Sequence, residues 1–222
     1  MSIAVALDGP AGAGKSSIAK RAAKALGYIY VDTGALYRTI GLAASRRNIE
    51  PVASAALDEM LASIRVDLTF NDKEEQIVLL DGEDVSGIIR TPEASMMASK
   101  ISAVPSVRAY LLDLQRNMAK THHVIMDGRD IGTVVLPDAQ VKIFLTATPE
   151  ARAERRYKEL VEKGMDVNFE DVLQDVITRD YQDTHRDIAP LKQAEDSIVV
   201  DTTKLDFEQS VEKIISVIKE NR

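Results

Sequence analysis

The run Gly9-Pro10-Ala11-Gly12-Ala13-Gly14-Lys15-Ser16-Ser17 sets two glycines, a lysine and a hydroxyl in the spacing G-x-x-x-x-G-K-[ST]. Glycine lets backbone N–H groups turn inward and approach phosphate oxygens with no Cβ in the way. A helix following the loop would aim the positive end of its dipole at the same place. Lys15 is expected to reach the β- and γ-phosphates of a nucleoside triphosphate, and the Ser16 hydroxyl to hold Mg²⁺. The chemistry is therefore phosphoryl transfer or hydrolysis, and the loop alone does not name the acceptor. Asp32 and Asp127 each close an apolar run. Either could hold Mg²⁺ through water, or simply cap a turn.

Arginines supply the other charged groups. Thr148-Pro149-Glu150 reads as a helix start, with Thr148 capping and Pro149 first in the helix. Arg152, Arg155 and Arg156 follow at i, i+3 and i+4, which puts them on one face. Such a face, on a hairpin beside a sheet, can close over phosphates and neutralise charge as it moves between them. The plain alternative is a solvated face with an Arg155–Glu159 pair. Arg179, Asp183 and Arg186 share a stripe if their helix persists, and suit a ligand with anionic and hydroxyl groups. An ion-pair ladder would look the same. Asp127-Gly128-Arg129-Asp130 follows a strand end, where open α/β sheets form their ligand crevice. Arg129 there offers a phosphate fork and Asp130 an acceptor.

The elements that must position these groups alternate between strand and helix. Ile3–Asp8, Tyr28–Asp32, His123–Asp127, Val141–Leu145 and Ser197–Asp201 are apolar, Val- and Ile-rich runs, as parallel strands covered on both faces are. Ser16 to Leu26 reads as a helix stopped by Gly27. The pattern implies an α/β sheet with right-handed crossovers. About ninety residues separate Asp32 from His123, too many for one crossover, so a subdomain is inserted there. Within it, Val66–Phe70 and Gln76–Leu80 read as a hairpin around Asn71-Asp72-Lys73, with Val85 starting a third strand. A helix with Val107, Leu111, Leu114 and Met118 on one side spans Val107–Lys120.

Composition narrows the setting. A chain of 222 residues can bury a core without staples, and with no cysteine it has no disulfide or thiolate metal site. Its net charge of −7 argues against a general polyanion binder, though a few local arginines can still hold a small phosphorylated substrate. No apolar run approaches a bilayer span, and Ile3–Leu7 is too short for a signal peptide. The expectation is a cytoplasmic monomer that meets neither membrane nor nucleic-acid polymer.

On these residues the chain resembles the bacterial cytidylate kinases. The resemblance is carried by Ala6-Leu-Asp-Gly-Pro-Ala-Gly-Ala-Gly-Lys-Ser-Ser17, Val31-Asp-Thr-Gly-Ala-Leu-Tyr-Arg38, Gly82-Glu-Asp-Val-Ser86 and Asp127-Gly-Arg-Asp-Ile-Gly-Thr-Val-Val135. Ala153-Glu-Arg-Arg156, and Arg179 with Asp183 before Ile188-Ala-Pro-Leu191, extend it over nearly the full length. It implies a three-layer P-loop kinase fold with a five-stranded parallel sheet, a small inserted antiparallel sheet and a helical lid. The core would cover about 1–35, 121–147 and 167–222, the acceptor insert about 36–120 and the lid about 148–166. The implied reaction moves the γ-phosphate of ATP to CMP or dCMP with Mg²⁺. ATP would lie on Gly9 to Ser17, with Lys15, Arg152, Arg155 and Arg156 catalytic. Ser99, Arg108 and Asp130 would form the cytosine pocket. Arg38, Arg129 and Arg186 would grip the acceptor phosphate, Arg179 and Asp183 the ribose, and Thr33 and Tyr37 complete the acceptor side. Two alternatives stay open: another acceptor such as UMP or AMP, or a nucleotide-dependent switch or assembly ATPase.

Overall fold

The computed structural model describes residues 2–73 and 75–222. Strand β1 (Ala4–Asp8) is buried along its whole length and feeds the glycine loop into helix α1 (Lys15–Leu26). Helix α1 turns Ile18, Ala19, Ala22 and Ala23 inward, and small alanines let it sit close on the sheet. It stops at Gly27, whose φ of 68° is the left-handed cap that glycine adopts without strain. Strand β2 (Ile29–Asp32) leads directly into α2 (Thr33–Arg46), and the Asp32 carboxylate caps it by accepting from Ala35 N.

The inserted region then contains α3 (Ala55–Ser63), strands β3 (Val66–Phe70), β4 (Gln76–Leu80) and β5 (Glu83–Asp84), and helices α4 (Pro92–Ile101) and α5 (Pro105–Thr121). The hairpin falls where the alternation placed it. The third strand pairs through Glu83 and Asp84 instead of starting at Val85, because Val85 is fully buried and drops into the core beneath. On α5 the inward face is Val107, Leu111, Gln115 and Ala119, with Leu114 and Met118 partly buried beside it.

The chain returns to the main sheet with β6 (Val124–Gly128), a π-helical turn at Ile131–Val135 and β7 (Val141–Thr146). Helices α6 (Pro149–Glu162) and α7 (Phe169–His185) form a hairpin, and β8 (Ile198–Asp201) and α8 (Phe207–Asn221) close the fold. Thr148 caps α6 with Pro149 in its first turn. The five strands of the main sheet are parallel in the order β2-β6-β1-β7-β8. Val5, Leu7, Ile125 and Ile143 pack against α1 and α8 on one face, whereas Ala4, Ala6, Val124 and Met126 pack towards α5 and the π turn on the other. That two-residue alternation makes three layers. A separate apolar cluster joins α2 to the inserted sheet, α4 and α5, and a small one of Ala153, Val172 and Val176 joins α6 to α7. No described helix is long and apolar enough to cross a membrane.

Candidate active site

The carboxyl ends of β1, β2 and β6 bring the charged residues together. The loop leaves β1 through Gly9 at φ 151°, so close to β7 that a Cβ there would lie 2.0 Å from the Leu145 carbonyl oxygen. Gly12 and Gly14 hold φ of 73° and 80°, left-handed values that turn the backbone around a cavity of N–H groups. Lys15 is buried at the start of α1, and its Nζ donates to the Pro10 carbonyl at 2.7 Å. Burial, aided by the nearby Arg129 charge, pushes its ammonium well below the usual lysine range.

Beside it, Ser16 Oγ donates to Asp127 Oδ2 at 2.8 Å, and Tyr30 OH donates to Asp127 Oδ1 at 3.1 Å. Thr33 Oγ1 bonds the Asp127 carbonyl at 2.7 Å, tying α2 to the end of β6. Burial, with Asp32 close by, raises the Asp127 carboxyl. Asp8, the last residue of β1, accepts from Ile131 N at 2.8 Å and Gly132 N at 2.7 Å. These bonds fix the π turn directly after Asp130. Burial still outweighs the two N–H donors and lifts Asp8 to about 6.

Asp130 is buried where that turn begins. Its Oδ2 is ion-paired to Arg108 Nη2, whereas Arg186 Nη2 stands 3.7 Å from Oδ1. Burial raises the Asp130 carboxyl despite both arginines. Arg108 also donates to the Ser102 carbonyl at 3.1 Å and lies over the Tyr37 ring, 5.7 Å from its centre. Arg186 Nη1 reaches Ser102 Oγ at 3.3 Å and its Nε donates to the Ala189 carbonyl at 2.6 Å. Across the cleft Arg129 Nε donates to Asp183 Oδ2, and Arg38 Nη2 to Asp32 Oδ2, each at 2.7 Å. Arg38 Nε and Arg186 Nη2 are buried donors with no hydrogen-bond partner among the described residues. Buried unpaired donors are costly, and an anion reaching either arginine would satisfy it.

The α6 arginines diverge, contrary to the single face expected from spacing. Arg152 is buried, donates to the Ala147 and Ala11 carbonyls, and pairs with Asp180 of α7 at 2.5 Å. Arg155 turns to the Thr202 carbonyl at 2.5 Å. Arg156 is half-exposed and pairs with Glu159 at 2.9 Å, so Glu159 meets Arg156 and Lys163 and not Arg155. Their i, i+3 and i+4 spacing sets where the stems leave the helix, but neighbours decide where long, flexible side chains end. The Arg179–Asp183–Arg186 stripe also fails, because α7 ends at His185 and Arg186 takes an extended ψ of 144°. Asp183 meets Arg129 instead, and Arg179 and Ser99 are exposed.

The strand ends thus gather a glycine loop, a buried lysine and several arginines paired with carboxylates. The family model described as Cytidylate kinase matches residues 5–220. The chain belongs to the cytidylate kinase family. It is 49% identical over 216 residues to a cytidylate kinase of Thermosipho melanesiensis, covering 97% of this chain and 96% of that one. A Clostridium botulinum cytidylate kinase is 44% identical over 221 residues, covering all of both chains. Among solved structures, an uncharacterised protein of Eubacterium ventriosum superposes with a TM-score of 0.51 at 12% identity, covering 98% and 99% of the two chains. That likeness concerns the fold alone.

Within this cytidylate kinase family member, three residues hold the site together through contacts that the sequence does not reveal. Ser102 joins Arg108 to Arg186 through its carbonyl and hydroxyl, yet it follows a helix in an unremarkable Ile-Ser-Ala run. Asp180 anchors Arg152 from the next helix. Asp8 sits in plain view before Gly9, but its bonds to Ile131 and Gly132 cross from one strand end to another.

Proposed function

We propose that the chain transfers the γ-phosphate of ATP to CMP or dCMP, giving ADP and CDP or dCDP. The observation that carries this reading is Asp130, a buried carboxylate held by Arg108 and Arg186 at the strand end beside the phosphate loop. A carboxylate there accepts from the cytosine 4-amino group, while the uracil 4-carbonyl would face acceptor against acceptor.

Gly9 to Ser17 would hold the triphosphate through loop N–H groups and the α1 N-terminus. Lys15 would exchange its bond to Pro10 for the β- and γ-phosphates. Ser16 and Asp127 are hard oxygen donors 2.8 Å apart beside that lysine, a set that suits Mg²⁺ with Asp127 acting through water. Among the described residues no cluster of three acidic, histidine or cysteine side chains could cage a metal unaided. The ion would therefore be shared with substrate phosphates. When bound, it supplies neutralisation of the β- and γ-oxygens.

An oxygen of the acceptor phosphate, already anionic, attacks the γ-phosphorus as the bond to the β-phosphate oxygen breaks and ADP leaves. No side-chain base is required. Arg38, Arg129 and Arg186 hold the acceptor phosphate in line. Thr33 and Tyr37 flank the acceptor, and Arg179 and Asp183 take the ribose after Asp183 exchanges Arg129 for it. Arg152 sits on the donor loop, and Arg155 and Arg156 reach phosphate only if α6 moves. The core at about 1–35, 121–147 and 167–222, the acceptor insert and the 148–166 lid close together to exclude water. Steady-state transfer to CMP and UMP by the wild type and by Asp130→Ala tests the reading. The variant should lose its preference for CMP, and an unchanged CMP-to-UMP ratio would refute the cytosine role.

A further inference from the structure

Leu68 of the inserted sheet packs against the apolar cluster on one face of the main sheet, and Gln76 hydrogen-bonds the inserted sheet to β2. β2 is an edge strand, so the outward N–H and C=O of Asp32 have no neighbouring strand to bond. Gln76, the first residue of β4, supplies both partners. Its Oε1 accepts from Asp32 N at 2.8 Å and its Nε2 donates to the Asp32 carbonyl at 3.2 Å. The amide thus takes the place of one residue of a missing strand.

Asp32 is also where α2 begins and where Arg38 is held. Its Oδ1 caps Ala35 N at 3.0 Å and its Oδ2 accepts from Arg38 Nη2 at 2.7 Å. The fit is tight around Gly34, where a Cβ would come within 3.1 Å of both Asp32 Oδ1 and Arg38 Nη1. Both oxygens and both backbone groups of Asp32 are therefore committed, and a shift of its backbone must carry Arg38 with it. We infer that Gln76 is a positioning residue for the acceptor phosphate, acting through the Asp32 backbone to fix the carboxylate that aims Arg38. This rests on the reading of Arg38 as an acceptor-phosphate grip. It gives the inserted sheet a task in the reaction, although none of its residues enters the cleft described above.

A purely structural contact would act on stability alone, so the test separates the two. Gln76→Met keeps the length of the side chain and removes both hydrogen bonds. Hydrogen exchange followed by mass spectrometry should show faster exchange at Asp32 and the first turn of α2. The KM for CMP should rise about tenfold, the loss of one or two net hydrogen bonds, with the KM for ATP nearly unchanged. Glu75→Gln breaks the exposed Lys20–Glu75 pair of 2.9 Å, the neighbouring tie between this sheet and α1, and should leave the CMP KM as in the wild type. Unchanged exchange at Asp32, an unchanged CMP KM, or an equal rise in the ATP KM would each overturn the inference, as would an equal effect of Glu75→Gln. A wild-type chain unable to phosphorylate CMP would instead overturn the functional reading. The exchange measurement needs no substrate and then decides the Gln76–Asp32–Arg38 linkage by itself.

Discussion

A carboxylate can select a base only if it keeps a lone pair free. Asp130 commits Oδ2 to Arg108, while Oδ1 lies 3.7 Å from Arg186, too far for a hydrogen bond. Asp130→Ala should remove the discrimination and, by taking the carboxylate away from the Arg108 and Arg186 charges, cost about 3 kcal/mol of stability. Chemical denaturation beside the kinetics measures both effects. At Lys15 the expected result is different. Lys15→Ala should lower turnover by about two to three orders of magnitude while far-UV circular dichroism stays unchanged, because it removes a charge aimed at the transferring phosphate. Undiminished transfer in this variant would sink the mechanism. Asp8 offers a test through pH. Its folded value near 6 lies above the ordinary 3.8, so its contribution to stability is full below about 3.8 and is lost as pH rises through 6. At about 1.36 kcal/mol per unit the loss approaches 3 kcal/mol. Asp8→Asn should therefore flatten the fall in melting temperature between pH 4 and 7 relative to wild type, and parallel curves for the two proteins would contradict it.

Among the elements, the phosphate loop shows how one residue type serves two demands. Gly9 combines a φ of 151° with a Cβ position 2.0 Å from the Leu145 oxygen, whereas Gly27 at φ 68° has open space around it. Gly27→Ala should cost about 1 kcal/mol as a lost left-handed cap. Gly9→Ala meets backbone that cannot yield and should cost several times more, on the order of 3 kcal/mol. Thermal melts of the two variants compare them directly, and equal shifts would show that the loop is not pressed against β7. The strands, the hairpin and the caps at Gly27 and Thr148 were legible because each rests on local periodicity or capping chemistry. The side-chain directions of Arg152, Arg155 and Arg156 were not, since Asp180 and the Thr202 carbonyl that hold two of them come from distant segments. The same applies to Arg186, whose place depends on where α7 ends. Ser102 and Gln76 act through contacts across the fold, and nothing in their neighbours along the chain marks them.

At the scale of the whole molecule, the three layers bring the ends of β1, β2 and β6 to one edge, where Lys15, Asp32, Arg38, Asp127, Arg129 and Asp130 follow within a few residues. The net charge of −7 does not oppose this, because Arg38, Arg108 and Arg129 stand there ion-paired to Asp32, Asp130 and Asp183, a local balance independent of the overall charge. On this arrangement a donor loop stands beside a cytosine-selective acceptor site. Coupled ADP release with ATP and Mg²⁺ over CMP, dCMP, UMP and AMP tests it most directly. Release should be rapid with CMP or dCMP, and kcat/KM for UMP and AMP lower by on the order of a hundredfold or more. Equal or faster release with UMP or AMP, or release that no acceptor accelerates, would contradict it.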